Sequence, residues 1–319
     1  MISPLSLKIQ GIIFIVLILS AANALAAESP LSANRIVVNK ATKNLVLIKD
    51  GKQVAKFPAT FGIDPDSDKY KAFDCATPEG LYFITDKKIH NRFHRLLGIS
   101  YPNLVNAEKG LAEGVLPLIE YKRIHEAIHK SRRPPADTAL GSGIAIHGGG
   151  VFKPFNMTRE RDWTEGCIAL NNTDIEKVFS FSRTGTPVII FNSRRNLSGI
   201  IRPFTHAKES DDTGVPICPD GICTYQVEIP TSLGQMMVTI KEGKDYGRSL
   251  QVMVYKADDR EKPLLVLDDH NADGYLSLID SISGPLVDEN TLEAAYGMVR
   301  EAVIATLFRG DISDSANGR

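Results

Sequence analysis

From Arg35 onward, apolar and polar positions alternate with the period of two that a half-buried strand requires. RIVVN is followed by NLVLIKDGKQVAKFPA, where Asp50 and Gly51 separate two apolar-alternating arms, and this predicts a β-hairpin. ATPEGLYFITDK adds a turn with Pro78 and Gly80 and then another strand. Residues 119–130 are the best helix candidate in the next stretch, which Pro134 and Pro135 end. SGIAIHG predicts a short buried strand that delivers His147 at its C-terminal edge. Residues 171–181 predict a helix with Thr173 and Glu176 spaced as a capping box, and TPVIIFN predicts a closing strand. Between 193 and about 216 the composition turns to Arg, Ser, Asn, Lys and Asp, the look of a connecting segment. Beyond it, TYQVEIP, QMMVTIKEG, SLQVMVYKA and PLLVLD predict strands, and an amphipathic helix is expected within 290–308. The pattern predicts a β-rich first unit over 34–192, a linker over 193–214 and a smaller α+β unit over 215–319.

The first residues change the picture of compartment. One lysine, an apolar block from Gly11 to Leu19 and Ala24 and Ala26 in an A-x-A arrangement read as a signal peptide over 1–26. The block is far shorter than the roughly 20 residues of a spanning helix. No other segment is long and apolar enough to span a bilayer, so the expectation is an exported protein of the periplasm or cell envelope with no membrane span. A net charge of -1 over 319 residues gives no basic surface for nucleic acid. Of four cysteines, Cys218 and Cys223 flank a Pro-Asp-Gly turn that can bring their backbones together, and a disulfide is expected there. Cys75 reads as an inert buried thiol. Cys167 requires another explanation.

Cys167 stands between Gly166 and an apolar run, twenty positions after His147. Three readings compete: a thiol nucleophile with its base, a pair of metal ligands, or an ordinary buried cysteine near an unrelated histidine. The first needs a thiolate, a base that accepts and returns its proton, and donors for the oxyanion formed on the attacked carbonyl. An imidazolium partner would lower the thiol pKa. Gly166 and Gly148 to Gly150 would leave backbone N–H groups accessible. Trp163 either lines the cleft or packs in the core.

His147-Gly148, fifteen residues, and then Thr164-x-Gly166-Cys167-Ile168-Ala169-Leu170 resemble the signature of the L,D-transpeptidase catalytic domain, the YkuD-like fold. The DG hairpin, TPEG before a strand, LLGISYPN, a Pro-rich stretch before GxIxIHG and GTPVII follow the family's order, and the resemblance covers 34–192, about half the chain. It implies a β-sandwich catalytic domain in which Cys167 attacks the third-residue carbonyl of a peptidoglycan tetrapeptide stem. His147 would carry the proton, its ring held by the Gly148 carbonyl. N–H groups near Gly166 and Cys167 would form the oxyanion hole, and Thr164, Glu165 and Trp163 would lie at the substrate. An acceptor amine would then give a 3→3 cross-link, with water giving carboxypeptidase activity instead. No cofactor is implied for catalysis, and carbapenems would acylate Cys167. Many members carry a histidine and a polar residue where this chain has Glu165 and Ala169, so substrate positioning differs, and Glu165 is expected to favour a cationic acceptor.

Three further motifs are distinct from this signature. HEAIH, from His125 to His129, matches a zinc-protease pattern but has no compelling third ligand, and its alternative is a solvated basic helix. HGGG is also found in lipase-like oxyanion loops, which need a G-x-S-x-G elbow that this chain lacks. DDHNADGYLSLID places Asp269, Asn271, Asp273 and Asp280 at the spacing of a calcium loop with Gly274 at its turn. Two readings stand: an Asp-rich hairpin turn, and a loop that holds a structural calcium ion. The functional expectation is an L,D-transpeptidase. Its alternatives are an L,D-carboxypeptidase or endopeptidase and a non-catalytic wall-binding protein.

Overall fold

A computed structural model describes residues 34–130, 132–151, 162–244, 247–256, 261, 263–274 and 289–309, with side chains of the last segment described from 293. The expected signal peptide and Asp280 lie outside the described residues. The fold is β-rich with mixed sheets and few helices.

Eight strands form the first sheet: β1 (Arg35–Asn39), β2 (Asn44–Lys49), β3 (Lys52–Pro58), β4 (Gly80–His90), β5 (His94–Ile99), β6 (Ala145–His147), β7 (Ile168–Ala169) and β8 (Pro187–Phe191). Their order is β3-β2-β1-β8-β4-β5-β6-β7. Asp50 and Gly51, at φ 51° and 71°, make the two-residue turn that joins β2 to β3. Pairing is antiparallel except where β8 runs parallel to β1 and β7 parallel to β6. β1 is buried at all five positions rather than alternately, because both faces of the sheet are covered. Ile36, Val38, Val188 and Ile190 pack on one side with Ile146, Ile168, Ile175 and Val178. Val37, Ile189 and Phe191 pack on the other with Leu197, Ile200, Val238, Val252 and Val303.

Helices α1 (Leu104–Ala112) and α2 (Leu118–His129) are inserted between β5 and β6, and α3 (Asn172–Phe181) follows β7. The N-cap of α3 is Asn171, and the capping box expected of Thr173 and Glu176 does not form. Asn171 accepts the Val151 N–H instead, at 3.3 Å, while Glu176 pairs with Arg95 at 3.1 Å and with His94 at 2.6 Å. Glu176 is drawn to Arg95 and His94 on β5 rather than back to its own helix end.

The second sheet has the order β13-β12-β11-β10-β9 and is antiparallel, built from β9 (His206–Ala207), β10 (Ile222–Thr231), β11 (Gly234–Gly243), β12 (Gly247–Tyr255) and β13 (Leu265–Asp269). The Cys218–Cys223 disulfide closes the turn before β10. Residues 193–205 hold a short helix, α4 (Leu197–Ile201), whose Leu197, Ile200 and Ile201 are buried beneath the second sheet and the long helix α5 (Glu289–Arg309). Arg195 donates to Glu79 at 3.0 Å and 2.9 Å, and the fully buried Lys40 holds the same carboxylate at 2.9 Å. Arg300 of α5 in turn donates to the Arg195 carbonyl at 3.1 Å. A buried charge is stable only when paired and hydrogen-bonded, so this cluster fixes the 193–205 segment against the first sheet. No helix among the described residues is long and apolar enough to cross a membrane.

Candidate active site

The parallel pairing of β6 with β7 sets Ile146 across from Ile168 and His147 across from Ala169. Cys167 directly precedes β7, and the Ala145 N–H of β6 lies against its thiol. Ala145 and His147, two apart on β6, share a face with Ala169 of β7. Ala169, directly across from His147, offers only a methyl group to the ring.

His147 is 2% exposed, and its Nδ1 lies 2.6 Å from the Gly148 carbonyl oxygen. A carbonyl can only accept, so Nδ1 carries the proton and Nε2 of the neutral ring keeps its lone pair. Phe93 packs on the ring at 4.2 Å between centroids, and Trp163 meets it edge-on at 5.9 Å. Trp163 is itself aimed by a hydrogen bond from its indole N–H to the Gly150 carbonyl, at 3.3 Å. Burial lowers the His147 pKa, the Gly148 carbonyl opposes that, and His90 and Arg92 push it further down. The ring is therefore neutral at physiological pH and ready to accept a proton.

Gly148 has no room for a side chain. A Cβ there would come within 2.7 Å of Asn172 Oδ1 and of the Phe93 carbonyl oxygen. Its N–H donates to the Arg95 carbonyl at 3.1 Å, and Asn172 Oδ1 accepts the next N–H, from Gly149, at 2.9 Å. Gly148→Ala is expected to displace the carbonyl that holds the imidazole. It should cost about 1–3 kcal/mol in stability through overpacking, and turnover should fall beyond what the unfolded fraction explains. Denaturant melts and rates on the same preparation check both.

The turn that presents Cys167 is clamped by Thr164, whose hydroxyl donates to the Cys167 carbonyl at 2.7 Å and accepts the Gly166 N–H at 3.2 Å. Thr164 is buried and tied into the sheet through Phe61 O and Ile63 N, both at 3.0 Å. Gly166 adopts φ +119°, and a Cβ on it would lie 2.6 Å from the Ala76 carbonyl oxygen, so this position demands glycine. Cys167 is half-buried, and its thiol donates to the Gly143 carbonyl at 3.8 Å. Burial pushes the thiol pKa up, the Ala145 N–H counteracts it, Glu165 adds to the rise and Lys69 offsets it. The expectation of a thiol pKa lowered by an imidazolium is thus not met at rest. Burial penalises the charged form of each group, which leaves a neutral thiol beside a neutral ring.

Glu165 is exposed beside the nucleophile. Cys75, expected to be buried, is half-buried. Three residues that shape the site carry no signal in the sequence: Phe93, Asn172 and Lys69. Lys69 is buried at the foot of the 62–79 loop, paired with Asp74 at 2.6 Å, and its charge reaches Cys167. In the string DPDSDKYKAFD it reads as one more solvated lysine. His125 and His129 lie one turn apart on α2 with their Nε2 atoms at 2.9 Å, but among the described residues no group of three His, Cys, Asp or Glu is gathered to hold a metal. The zinc-protease reading of HEAIH therefore lacks its third ligand there.

Residues 33–190 match the family model of YkuD, the L,D-transpeptidase catalytic domain, and this region of the chain belongs to that family. Among solved structures, the chain is similar to an L,D-transpeptidase from Xylanimonas cellulosilytica, at 16% identity and a TM-score of 0.28, covering 50% of this chain and 61% of that one. A second is L,D-transpeptidase 1 of Mycobacterium tuberculosis, at 11% identity and a TM-score of 0.28, covering 50% and 62%. A third is a mutant form of the helical cell shape determining protein Pgp2 of Campylobacter jejuni, at 15% identity and a TM-score of 0.35, covering 73% and 90%. The chain thus spans about six tenths of the length of the first two. A comparison with curated proteins gives no match.

Proposed function

We propose that this protein is an exported L,D-transpeptidase of the periplasm or cell envelope that acts on peptidoglycan tetrapeptide stems through a Cys167 acyl-enzyme. What supports the reading is the pairing of β6 with β7, which sets His147 at the end of one strand and Cys167 directly before the other, with Nδ1 committed to the Gly148 carbonyl and Nε2 left as a base. As the sulfur attacks the carbonyl of the third stem residue, its proton passes to His147 Nε2 and an S–C bond forms. The oxyanion takes the Cys167 N–H, because the Gly166 N–H is committed to Thr164. The C–N bond to the terminal D-alanine then breaks, and the imidazolium returns the proton to the departing amine. An amine from a second stem attacks the thioester, gives its proton to His147 and releases the sulfur, which regains a proton from the ring. Glu165, exposed beside the nucleophile, favours an acceptor that arrives as a cation. The signal-free chain should be incubated with purified tetrapeptide-bearing muropeptides and the products resolved by mass. Cross-linked dimers with loss of one D-alanine are expected. Tripeptides alone would make the protein a carboxypeptidase, and unchanged substrate would make it a wall-binding protein without activity.

A further inference from the structure

The turn after β13 carries a carboxylate that its surroundings do not satisfy. Asp269 is 1% exposed; its Oδ2 accepts the Gly274 N–H at 2.9 Å, while its Oδ1 is buried with no hydrogen-bond partner. Buried polar atoms are nearly always partnered, and an ionised oxygen without a partner is among the most costly groups to bury. A cation at that oxygen would remove the cost. Asn271 and Asp273 follow at alternate positions and are exposed, Ala272 and Gly274 adopt φ 50° and 97°, and the Asp273 charge reaches Asp269.

We propose that Asp269, Asn271 and Asp273 bind Ca²⁺. The donors are all oxygen, which selects a hard cation over zinc or copper. A flexible turn with exposed second and third donors suits the variable coordination of Ca²⁺ better than the rigid octahedron that Mg²⁺ demands. The Asn271 amide nitrogen currently donates to Asp273 Oδ2 at 2.7 Å, and rotating that amide presents its oxygen instead.

The position of the turn gives the ion a role away from the chemistry. Asn196 donates to the Ala272 carbonyl at 2.8 Å and caps α4 through the Gly199 N–H at 2.9 Å. Tyr296 of α5 accepts the Leu197 N–H at 3.2 Å. The adjacent Arg195 holds Glu79 of the first sheet. Calcium therefore fastens the second sheet to the joint through which it meets the catalytic domain.

The test is thermal denaturation and calorimetric titration of the full signal-free chain in chelator, in about 1 mM CaCl₂ and in about 1 mM MgCl₂. Ca²⁺ is expected to raise the midpoint by about 5 °C, to bind with Kd of about 10⁻⁵–10⁻³ M, and to exceed Mg²⁺ in both. Asp269→Asn should lose the calcium shift yet melt in chelator no lower than the parent, since it removes an unpartnered buried charge. Asp273→Asn should weaken binding by about tenfold. The proposal is overturned by no shift in the parent up to about 10 mM Ca²⁺, by an equal shift with Mg²⁺, or by a calcium shift that survives in Asp269→Asn.

Discussion

Cys167→Ala should abolish release of D-alanine from tetrapeptide stems, a loss of about 10⁴-fold or more, because it removes the sulfur assigned to form the thioester. The fold should survive it. The side chain is half-buried, and its thiol hydrogen bond is a 3.8 Å contact with the Gly143 carbonyl, so the stability change should stay under about 1 kcal/mol. The clamp that shapes the turn runs through the Thr164 hydroxyl and the Cys167 backbone, and alanine leaves both in place. Cys75→Ala is the matched control, with a rate within about twofold of the parent. Its thiol donates to the Phe73 carbonyl, at 3.8 Å. Continuous D-alanine detection on the three proteins reads the result. A parent-like rate in Cys167→Ala, or a collapse in Cys75→Ala without loss of folding, would move the nucleophile to Cys75.

His147→Gln should lower the acylation rate by about 10²–10⁴-fold, the usual worth of a positioned base. Glutamine keeps an amide N–H that can reach the Gly148 carbonyl, so the loss reports the missing base rather than a collapsed strand. The pH dependence separates the two explanations further. Burial holds the His147 pKa below its ordinary 6.5 and the Cys167 thiol above its ordinary 9.0. The base form of the ring is the neutral one, so acylation by the parent should rise as pH climbs through a value below 6.5 and then level across neutrality. His147→Gln should lose that inflection and accelerate only as pH approaches the raised thiol pKa. A low-pH inflection that persists in the variant would assign proton transfer to another group, with His90 the nearest in charge coupling to the ring.

The sequence made the local parts of this site legible. RIVVN, the Asp50-Gly51 turn and GxIxIHG each carry their own periodicity, and His147 lies at the strand end where the pattern puts it. The turn of Cys167 was readable because its residue types answer local needs: a threonine to clamp it and a glycine where φ is positive. Contacts across long stretches of chain were not readable. Phe93 reaches His147 across 54 positions and Asn172 reaches Gly149 across 23, and neither residue differs in type from its neighbours' ordinary roles. Residues 193–205 look like a linker because their polar residues dominate by count. Their four apolar side chains, Leu197, Ile200, Ile201 and Phe204, are nonetheless all buried, and Arg195 is held by Glu79 rather than solvated. The thiol pKa was misjudged for a related reason: a cysteine beside a histidine suggests an ion pair, whereas the direction of the shift depends on burial, which only the assembled strands reveal.

The proposed transfer of the stem acyl group to the Cys167 sulfur is open to direct measurement. The signal-free chain is mixed with excess tetrapeptide stem, quenched in acid within one turnover and weighed intact, followed by peptide mapping. The parent should gain the mass of the stem less its terminal D-alanine, on the peptide that contains Cys167, and Cys167→Ala should gain nothing. No adduct in an enzyme that still consumes stem, or an adduct on any other side chain, would contradict the assignment of the nucleophile and the proton path built on it.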